Sequence, residues 1–316
     1  MRRKRLPAPV DPSVTVGSTR LRAGVMTASG TAGHGDELGA HMDLSDLGAV
    51  VVKSMMAGPW EGNPGPRVHP TPSGMINSVG LQGAGIEHWR REELPALEDT
   101  GATVVVSIWG RHLADYERAA EALADLGDTV AAVEVNLSCP NLDGGSHLFA
   151  HDPDVAAGVI EATAAAARPR WAKLSANTDR VVEVAAAVAE AGADAVTLIN
   201  TLKAMVIDID EARPVLGARA AGGGLSGAAI GPVALRTVFD VHAALPELAI
   251  VGVGGVTDGR DAVAMMMAGA SAVQVGTATF ADPRSADTVR RGLEHWCATH
   301  GIDAVADLKG MAHGRD

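Results

Sequence analysis

One of the two cysteines of the chain, Cys139, stands between Asn136 and Asn141, where an apolar run gives way to proline and glycine. A buried structural cysteine is inert, whereas an accessible thiolate is a nucleophile or a base. Asn77 and Asn200 also follow short apolar runs, and each asparagine side chain offers both a donor and an acceptor. One asparagine alone is typical of a turn. The four together favour a polar, planar ring as the ligand, with Cys139 as its base or nucleophile.

Two lysines lie inside apolar runs, Lys53 in "VVVKS" and Lys173 in "WAKLS". An isolated ammonium group is very costly to bury, so each lysine must reach water or meet a negative charge. That charge belongs either to a structural carboxylate or to an anionic ligand, and the sequence leaves both open.

A phosphate site is indicated by two glycine-containing turns near the end of the chain. Gly254 and Gly255 would let backbone amides approach an anion, and a helix that opens near residues 257–258 would direct its N-terminal dipole towards it. Gly276 and Thr277 would supply the second half, as in barrels that bind phosphate after strands seven and eight. Glycine is also common in such turns for conformational reasons alone. The occurrence of both pairs favours the phosphate site.

The elements that must position these groups alternate along the chain. Apolar, β-branched runs predict strands over residues 21–28, 48–54, 102–109, 130–138, 171–176, 195–200, 249–255 and 271–277. Amphipathic patterns predict helices between them, for example over residues 111–127, 178–192 and 257–270. Strands that are apolar throughout are typical of a parallel sheet buried on both faces. Eight such units predict an α/β fold, a (β/α)8 TIM barrel, with an open doubly wound sheet as the main alternative.

No linker or change of composition divides the chain, so we expect one domain over residues 1–316, with residues 1–14 as a flexible tail. Two glycine- and proline-rich loops, 55–85 and 201–230, interrupt the alternation after predicted strands. Loops of this length in a compact domain are usually functional. In a barrel they would extend over the C-terminal face, where barrel enzymes carry their active sites.

Composition excludes several classes of function. A net charge of −12 and an aromatic content of 3% argue against nucleic-acid binding. Two cysteines are too few for a disulfide framework, and no apolar stretch approaches the roughly 20 residues that span a bilayer. We therefore expect a cytoplasmic protein without membrane contact. His147 and His151 are four residues apart but belong to no metal-binding motif, so no metal is predicted.

Several motifs together closely resemble those of the class 1 dihydroorotate dehydrogenases, over about residues 15–300. They are "NLSCPN" with the "GG" after it, "KLSAN", "LINTLKAMVIDID", "GGGLSGAAIGPVALR", "GASAVQVGTATF", "VMTASGTAGHGDE", "GNPGPRV" and "GMINSVGLQ". "GNPGPRV" and "GLQ" are most similar to the NAD-linked subclass. In that subclass the barrel subunit pairs with an iron–sulfur flavoprotein that carries FAD.

The resemblance implies an FMN enzyme that oxidises dihydroorotate to orotate in pyrimidine biosynthesis. Cys139 would remove the C5 proton while hydride passes from C6 to flavin N5, and Lys53 would act beside the substrate carboxylate and the flavin. Lys173 would face the N1–C2=O edge of the flavin and stabilise its anionic reduced form.

The site residues that the resemblance implies fall into two sets. Those for the substrate are Lys53, Asn77, Gly80, Leu81, Asn136, Asn141, Asn200 and Thr201. Those for FMN are Ala28, Ser29, Lys53, Ser107, Asn136, Lys173, Ile199, Gly227, Gly254, Gly255, Gly276 and Thr277. Ser107 stands where the family usually has asparagine, which would weaken one polar contact to the flavin.

The resemblance also implies a homodimeric core with a separate FAD and iron–sulfur subunit. Three alternatives remain. A dihydropyrimidine dehydrogenase-like enzyme would use the same barrel on uncarboxylated rings. A Schiff-base aldolase would use Lys173 as its nucleophile beside the phosphate site. A phosphate-binding scaffold barrel would have no turnover and no need of Cys139.

Overall fold

The structure, a computed structural model, describes residues 9–138, 149–217 and 222–314. The strands are β1 (Val14–Val16), β2 (Thr19–Leu21), β3 (Val25–Thr27), β4 (Val50–Val51), β5 (Val68–Thr71), β6 (Gly74–Asn77), β7 (Val104–Ile108), β8 (Val130–Asn136), β9 (Arg170–Lys173), β10 (Ala195–Leu198), β11 (Leu202–Ala204), β12 (Ile207–Asp208), β13 (Arg213–Pro214), β14 (Gly223–Ser226), β15 (Ala249–Val253) and β16 (Ala272–Val275). The helices are α1 (Ile86–Glu92), α2 (Leu94–Asp99), α3 (Leu113–Glu121), α4 (Pro153–Ala162), α5 (Val181–Glu190), α6 (Gly231–Ala244), α7 (Gly259–Met267) and α8 (Ser285–His300).

Eight parallel strands form a barrel in the order β3, β16, β15, β10, β9, β8, β7 and β4. The ring closes between the first and last of these strands. The N–H of Gly48 donates to the carbonyl of Val25 at 2.8 Å, and the N–H of Thr27 donates to that of Ala49 at 3.3 Å. The predicted (β/α)8 barrel is therefore confirmed, and the open sheet is excluded because its edge strands would not meet.

The barrel strands are buried on both faces, as their continuous apolar sequences predict. All residues of β7, β10, β15 and β16 are buried. The predicted helices over 111–127, 178–192 and 257–270 contain α3, α5 and α7, and each packs its apolar stripe on the sheet or on a neighbouring helix. Helix α4 illustrates a local start signal. The Asp152 carboxylate accepts from the N–H groups of Asp154 and Val155, with Pro153 in the first turn.

The two long loops pair with each other in an antiparallel sheet over the C-terminal face. Strands β5 and β6 come from the first loop, β11 and β14 from the second, and the order is β11, β14, β6 and β5. The central contact joins the two loops, because Leu225 of β14 stands opposite Ile76 of β6. The sequence predicts both loops but not their strands, so this sheet is an addition to the predicted fold.

The N-terminal residues differ from the prediction in two respects. The predicted strand over 21–28 is divided, because β2 pairs with β1 in a hairpin and only β3 enters the barrel. Part of the predicted tail is also tied down. The N–H of Asp11 donates to the carbonyl of Asp303 at 2.8 Å, and β1 begins at Val14. The tail prediction is therefore wrong for residues 11–14, and residues 1–8 lie outside the described part. None of the helices in the described ranges is long and apolar enough to cross a membrane.

Candidate active site

A cavity of about 410 Å³ opens at the C-terminal face. It lies between the ends of the barrel strands and the antiparallel sheet of β11, β14, β6 and β5, called the loop sheet from here on. The size of the cavity lies in the usual range for small-molecule sites. Seven of the eight barrel strands send residues into it at or just after their C-terminal ends. The exception is β7. The loop sheet supplies the opposite wall through residues such as Met75, Asn77 and Ser226.

Most predicted site residues line this one cavity, although they come from distant parts of the chain. They are Ala28, Ser29, Lys53, Asn77, Gly80, Leu81, Asn136, Lys173, Ile199, Asn200, Thr201, Gly227, Gly254, Gly255, Gly276 and Thr277. Their individual roles remain predictions. Cys139 and Asn141 lie outside the described residues.

Ser107 is the one described member of the predicted set that does not line the cavity. It is fully buried below the floor, where its hydroxyl lies 2.8 Å from that of Ser54 and 3.3 Å from Oε1 of Glu134. Its short side chain ends inside the barrel, below the residues that line the cavity. The direct flavin contact predicted for Ser107 is therefore not supported by its position.

Lys173 reaches the cavity from the end of β9 and is only 5% exposed. Its ammonium group lies 3.2 Å from Oε1 of Glu134, 3.0 Å from the Ser29 hydroxyl and 3.4 Å from Oε1 of Gln274. Burial by itself raises the pKa of Glu134, but the Lys173 charge and the hydrogen bonds to the carboxylate reverse this and hold the pKa below its ordinary value. The structure thus supplies the carboxylate that the sequence left open.

The asparagines meet at the polar end of the cavity, near the end of β8. Nδ2 of Asn200 donates to Oδ1 of Asn136 at 3.2 Å, and Nδ2 of Asn136 lies 3.5 Å from the Ser54 hydroxyl. The Tyr116 hydroxyl donates to the Asn136 carbonyl at 2.8 Å and fixes this strand end. On the facing wall, Nδ2 of Asn77 donates to the Gly224 carbonyl at 3.2 Å. Amide donors and acceptors therefore face one another across a gap that a flat polar ring could enter.

Lys53 is half-buried at the same end, and its ammonium group donates to the Gln82 carbonyl. Burial and the nearby Arg67 charge lower the pKa of Lys53 from its ordinary value. Behind it, burial and the Lys53 charge lower the pKa of His34 to about 4. His34 is therefore neutral at pH 7. Lys53 lines the cavity with a positive charge, which the Arg67 charge reinforces and the Glu93 carboxylate partly offsets.

The predicted phosphate end is assembled from β15, β16 and the loop sheet. Gly254, Gly255 and Gly227 have φ values of +116°, +76° and +92°, which side chains rarely adopt. A Cβ on Gly255 would also lie 2.3 Å from the Cα of Gly231, the first residue of α6. The hydroxyl of Thr277 donates to that of Ser226 at 2.8 Å beside them. Tight turns and hydroxyls thus surround this end of the cavity.

The predicted role of the α7 dipole at this site is wrong. The Asp258 carboxylate accepts from the N–H groups of Arg260 and Asp261, and the Asp261 carboxylate accepts from those of Thr257 and Asp258. These carboxylates occupy the N-terminal donors and place negative charge there. An anion would therefore have to be held by the glycine turns and hydroxyls instead.

Sequence reasoning missed several residues of the site, notably Glu134, Gln274, Ser54 and Ser226. Glu134 and Gln274 each interrupt an apolar strand, which is the same signal that identified Lys173. Glu134 also stands two residues before Asn136, on the same face of β8. No group of three His, Cys, Asp or Glu side chains within the described ranges could hold a metal ion.

The cavity fits an elongated ligand with an anionic end and a planar polar end, which are the features of FMN. The glycine turns suit a phosphate, and the buried ammonium of Lys173 can face an electron-rich ring edge. Asn77, Asn136 and Asn200 line the same cavity and offer amide donors and acceptors to a planar polar ring.

The comparisons with known proteins agree with this geometry. The family model described as "Dihydroorotate dehydrogenase" matches residues 13–297. Relatives named "Dihydroorotate dehydrogenase B (NAD(+)), catalytic subunit" include one from Geobacter sp. (strain M21), 45% identical over 301 residues, which cover 95% of this chain and 97% of the relative. The relative of the same name from Desulforudis audaxviator (strain MP104C) is 44% identical over 305 residues, 96% of this chain and 98% of the relative. The resemblance noted in the motifs is confirmed, and the chain belongs to the dihydroorotate dehydrogenase family.

Proposed function

We propose that this protein is the catalytic subunit of an NAD-linked dihydroorotate dehydrogenase, which oxidises dihydroorotate to orotate for pyrimidine biosynthesis. The single observation that carries the proposal is the cavity itself. Lys173, Lys53 and the asparagines Asn77, Asn136 and Asn200 converge there from five separate segments of the chain. The relatives that align over nearly the whole chain carry that activity in their names.

FMN is the cofactor that we propose for the cavity, and when bound it supplies the acceptor for the substrate's hydride. The turns at Gly254–Gly255 and Gly276–Thr277 would hold its phosphate, and Ala28 and Ser29 would line its ring. Lys173, held by Glu134, would place a positive charge at one ring edge. This charge favours negative charge on that edge by Coulomb attraction, which is strong because the ammonium is nearly excluded from water.

The substrate would be held by the groups at the polar end. The asparagine amides match a ring of alternating N–H and C=O groups, and each can donate and accept. Lys53 and Arg67 bring positive charge to the same end and would attract the substrate carboxylate. The proton at C5 would be taken by Cys139, whose role follows from the resemblance alone.

Two alternatives are less well supported. A Schiff-base aldolase needs a lysine amine that is free to attack its substrate, whereas Nζ of Lys173 is held 3.2 Å from the buried Glu134 carboxylate. An enzyme for uncarboxylated dihydropyrimidines could use Lys53 beside the flavin, but its substrate would bring no carboxylate to the positive charges of Lys53 and Arg67. Both are distinguished from the proposed activity by the experiment below.

The test is an anaerobic titration of the purified full chain. We expect a yellow protein that releases FMN on denaturation. Its visible flavin absorption should bleach with dihydroorotate and orotate should form, while dihydrouracil produces little bleaching. A colourless protein that FMN cannot reconstitute would overturn the proposal. Bleaching by dihydrouracil in preference would favour the second alternative, and trapping of substrate on Lys173 by borohydride would favour the first.

A further inference from the structure

The carboxylate of Glu134 is fully buried inside the barrel, directly below the cavity floor. Both of its oxygens have partners. Oε1 lies 3.2 Å from Nζ of Lys173 and 3.3 Å from the Ser107 hydroxyl, and Oε2 accepts from Nε2 of Gln274 at 2.7 Å. The Gln274 amide also turns its oxygen towards Lys173 at 3.4 Å. Glu134 and Gln274 therefore form a two-sided support for the Lys173 ammonium.

The same carboxylate begins a polar chain that runs to the substrate end of the cavity. From Glu134 the chain passes through the hydroxyls of Ser107 and Ser54, which are 2.8 Å apart, to the amide of Asn136. Asn136 in turn accepts from Asn200 at 3.2 Å. The proposed cofactor end and substrate end thus share one set of buried hydrogen bonds. Ser107 acts here as a link in the floor and not as a ligand contact.

The Lys173 ammonium and the Glu134 carboxylate each need the other, for an electrostatic reason. Lys173 is 5% exposed and Glu134 is fully buried, so neither charge is stabilised by water. Removal of one partner from such a pair leaves an uncompensated buried charge, which then neutralises or moves. The position and the charge of the Lys173 ammonium therefore depend on the carboxylate beneath it.

We propose that Glu134 is a positioning residue, which holds the Lys173 ammonium in place for the flavin ring edge. Glu134 acts through Lys173 and touches neither substrate nor cofactor. The proposal rests on the proposed function only for the identity of the group that Lys173 faces. The pairing itself can be tested whether or not a flavin is bound.

The first measurement is a double-mutant cycle on thermal unfolding of the full chain. Glu134→Gln preserves the shape of the side chain but removes its charge, and Lys173→Met removes the ammonium. Loss of one member of a buried pair should lower the Tm by about 5–10 °C in each single variant. The double variant should lose clearly less than the sum, because no charge is left unpaired. Additive losses would overturn the pairing.

The second measurement is the midpoint reduction potential of the bound flavin, determined spectroscopically in the same four proteins. Glu134→Gln should shift this potential when Lys173 is present and leave it unchanged in the Lys173→Met background. An unchanged potential in Glu134→Gln, or an equal shift in both backgrounds, would overturn the positioning role. If the chain binds no flavin, the proposed function fails, while the unfolding cycle still decides the pairing.

Asp287→Asn is the matched control, since Asp287 is also a buried, ion-paired carboxylate, 8% exposed on α8 and 2.7 Å from Arg290. It lies outside the cavity lining. This variant should lower the Tm as other broken ion pairs do, without a shift of the flavin potential. A shift as large as that of Glu134→Gln would show that destabilisation alone moves the potential, and would overturn the proposal.

Discussion

Lys53 and Lys173 share one difficulty, an ammonium group inside an apolar run, and the fold resolves it differently for each. Lys173 is nearly excluded from water and pairs with Glu134. Lys53 is half-buried and meets the Gln82 carbonyl, with Arg67 near enough to lower its pKa further. The first lysine is therefore fixed by a direct ion pair, whereas the Glu93 carboxylate acts on the second without a direct ion pair among the described residues. This difference favours Lys53 as the group that receives the substrate carboxylate.

His34 should make the protein less stable in acid. Burial and the Lys53 charge lower its pKa to about 4, from about 6.5 in the unfolded chain. Between these values the unfolded chain binds a proton that the folded chain does not, so stability present above pH 6.5 is lost as the pH falls towards 4. The full shift corresponds to about 3.4 kcal/mol, and the partial exposure of the ring to solvent reduces this figure. Between pH 7 and 4.5, the free energy of unfolding of His34→Gln should therefore fall by roughly 1–3 kcal/mol less than that of the wild type.

Urea unfolding at the two pH values measures this difference. His295 is exposed on α8, so His295→Gln is the control and should follow the wild type at both pH values. If His34→Gln loses as much stability as the wild type on acidification, the burial of a neutral His34 does not explain the acid sensitivity.

Cys139 remains a prediction of the resemblance, and its variant tests the role directly. Cys139→Ala should retain FMN and orotate but reduce its flavin about 10²–10⁴-fold more slowly with dihydroorotate, the usual contribution of a general base. Stopped-flow bleaching measures this rate. Cys139→Ser should be intermediate, with a pH dependence displaced upward because a hydroxyl ionises less readily. Wild-type bleaching in Cys139→Ala would require a different base.

The other cysteine, Cys297, is fully buried in α8, and burial raises its pKa, so it serves as the inert comparison.

At the scale of elements, the loop sheet positions Asn77, which the barrel strands alone cannot bring to the cavity. The barrel places Asn136 and Asn200 on the floor, but Asn77 arrives from a loop and needs a partner strand to hold it. That partner is β14, in which Gly224 stands opposite Asn77. A Cβ on Gly224 would lie 2.6 Å from the Cβ of Thr201, so only glycine leaves room for Thr201 against this strand. Glycine at position 224 therefore has a structural purpose.

Gly224→Ala should displace Thr201 or shift β14, which pairs with Asn77, and so misplace the substrate. A displacement of about 1 Å in a positioning group can lower turnover by up to about 10²-fold, so we expect dihydroorotate to bleach the flavin about 10–100-fold more slowly. Orotate should also bind more weakly, and its perturbation of the flavin spectrum measures this binding. FMN content should stay near that of the wild type, because the glycine turns of β15 and β16 are unchanged.

Gly58→Ala is the control, since a Cβ there meets nothing within 4 Å. It should behave as the wild type in both measurements. If Gly224→Ala also bleaches at the wild-type rate, the close packing of Thr201 against β14 does not set the position of the substrate.

At the scale of the whole molecule, the electrons that leave the substrate need a route out. The chain has two cysteines, and an iron–sulfur cluster normally takes four, so a second redox centre of that kind would have to come from another subunit. We expect the chain alone to bleach with dihydroorotate but to reduce NAD slowly. Addition of a flavin- and iron–sulfur-containing partner subunit should accelerate NADH formation. Fast NAD reduction by the chain alone would contradict this dependence, and fast turnover with fumarate would favour the other class 1 branch.

The sequence by itself determined the class of fold and the set of residues at the strand ends. Apolar strands that alternate with amphipathic helices favour a parallel sheet with helices around it, in which every strand ends at the same edge, whereas closure of that sheet into a barrel was decided by the structure. The positions of Asn136, Lys173 and Asn200 in the cavity follow from that rule without further information. Motif resemblance added the family, which the comparisons confirm.

Only the tertiary structure decided which groups pair with which. Glu134 and Gln274 lie 140 residues apart, and no local pattern joins them below Lys173. The sequence did not predict the loop sheet for the same reason, because β6 and β14 are short and form strands only when they pair with each other. The local sequence also predicted an anion at the N-terminus of α7, but the carboxylates of Asp258 and Asp261 accept hydrogen bonds from the N–H groups that an anion would need. Pairings between distant residues depend on how the strands are ordered around the barrel, and that order exists only in the folded chain.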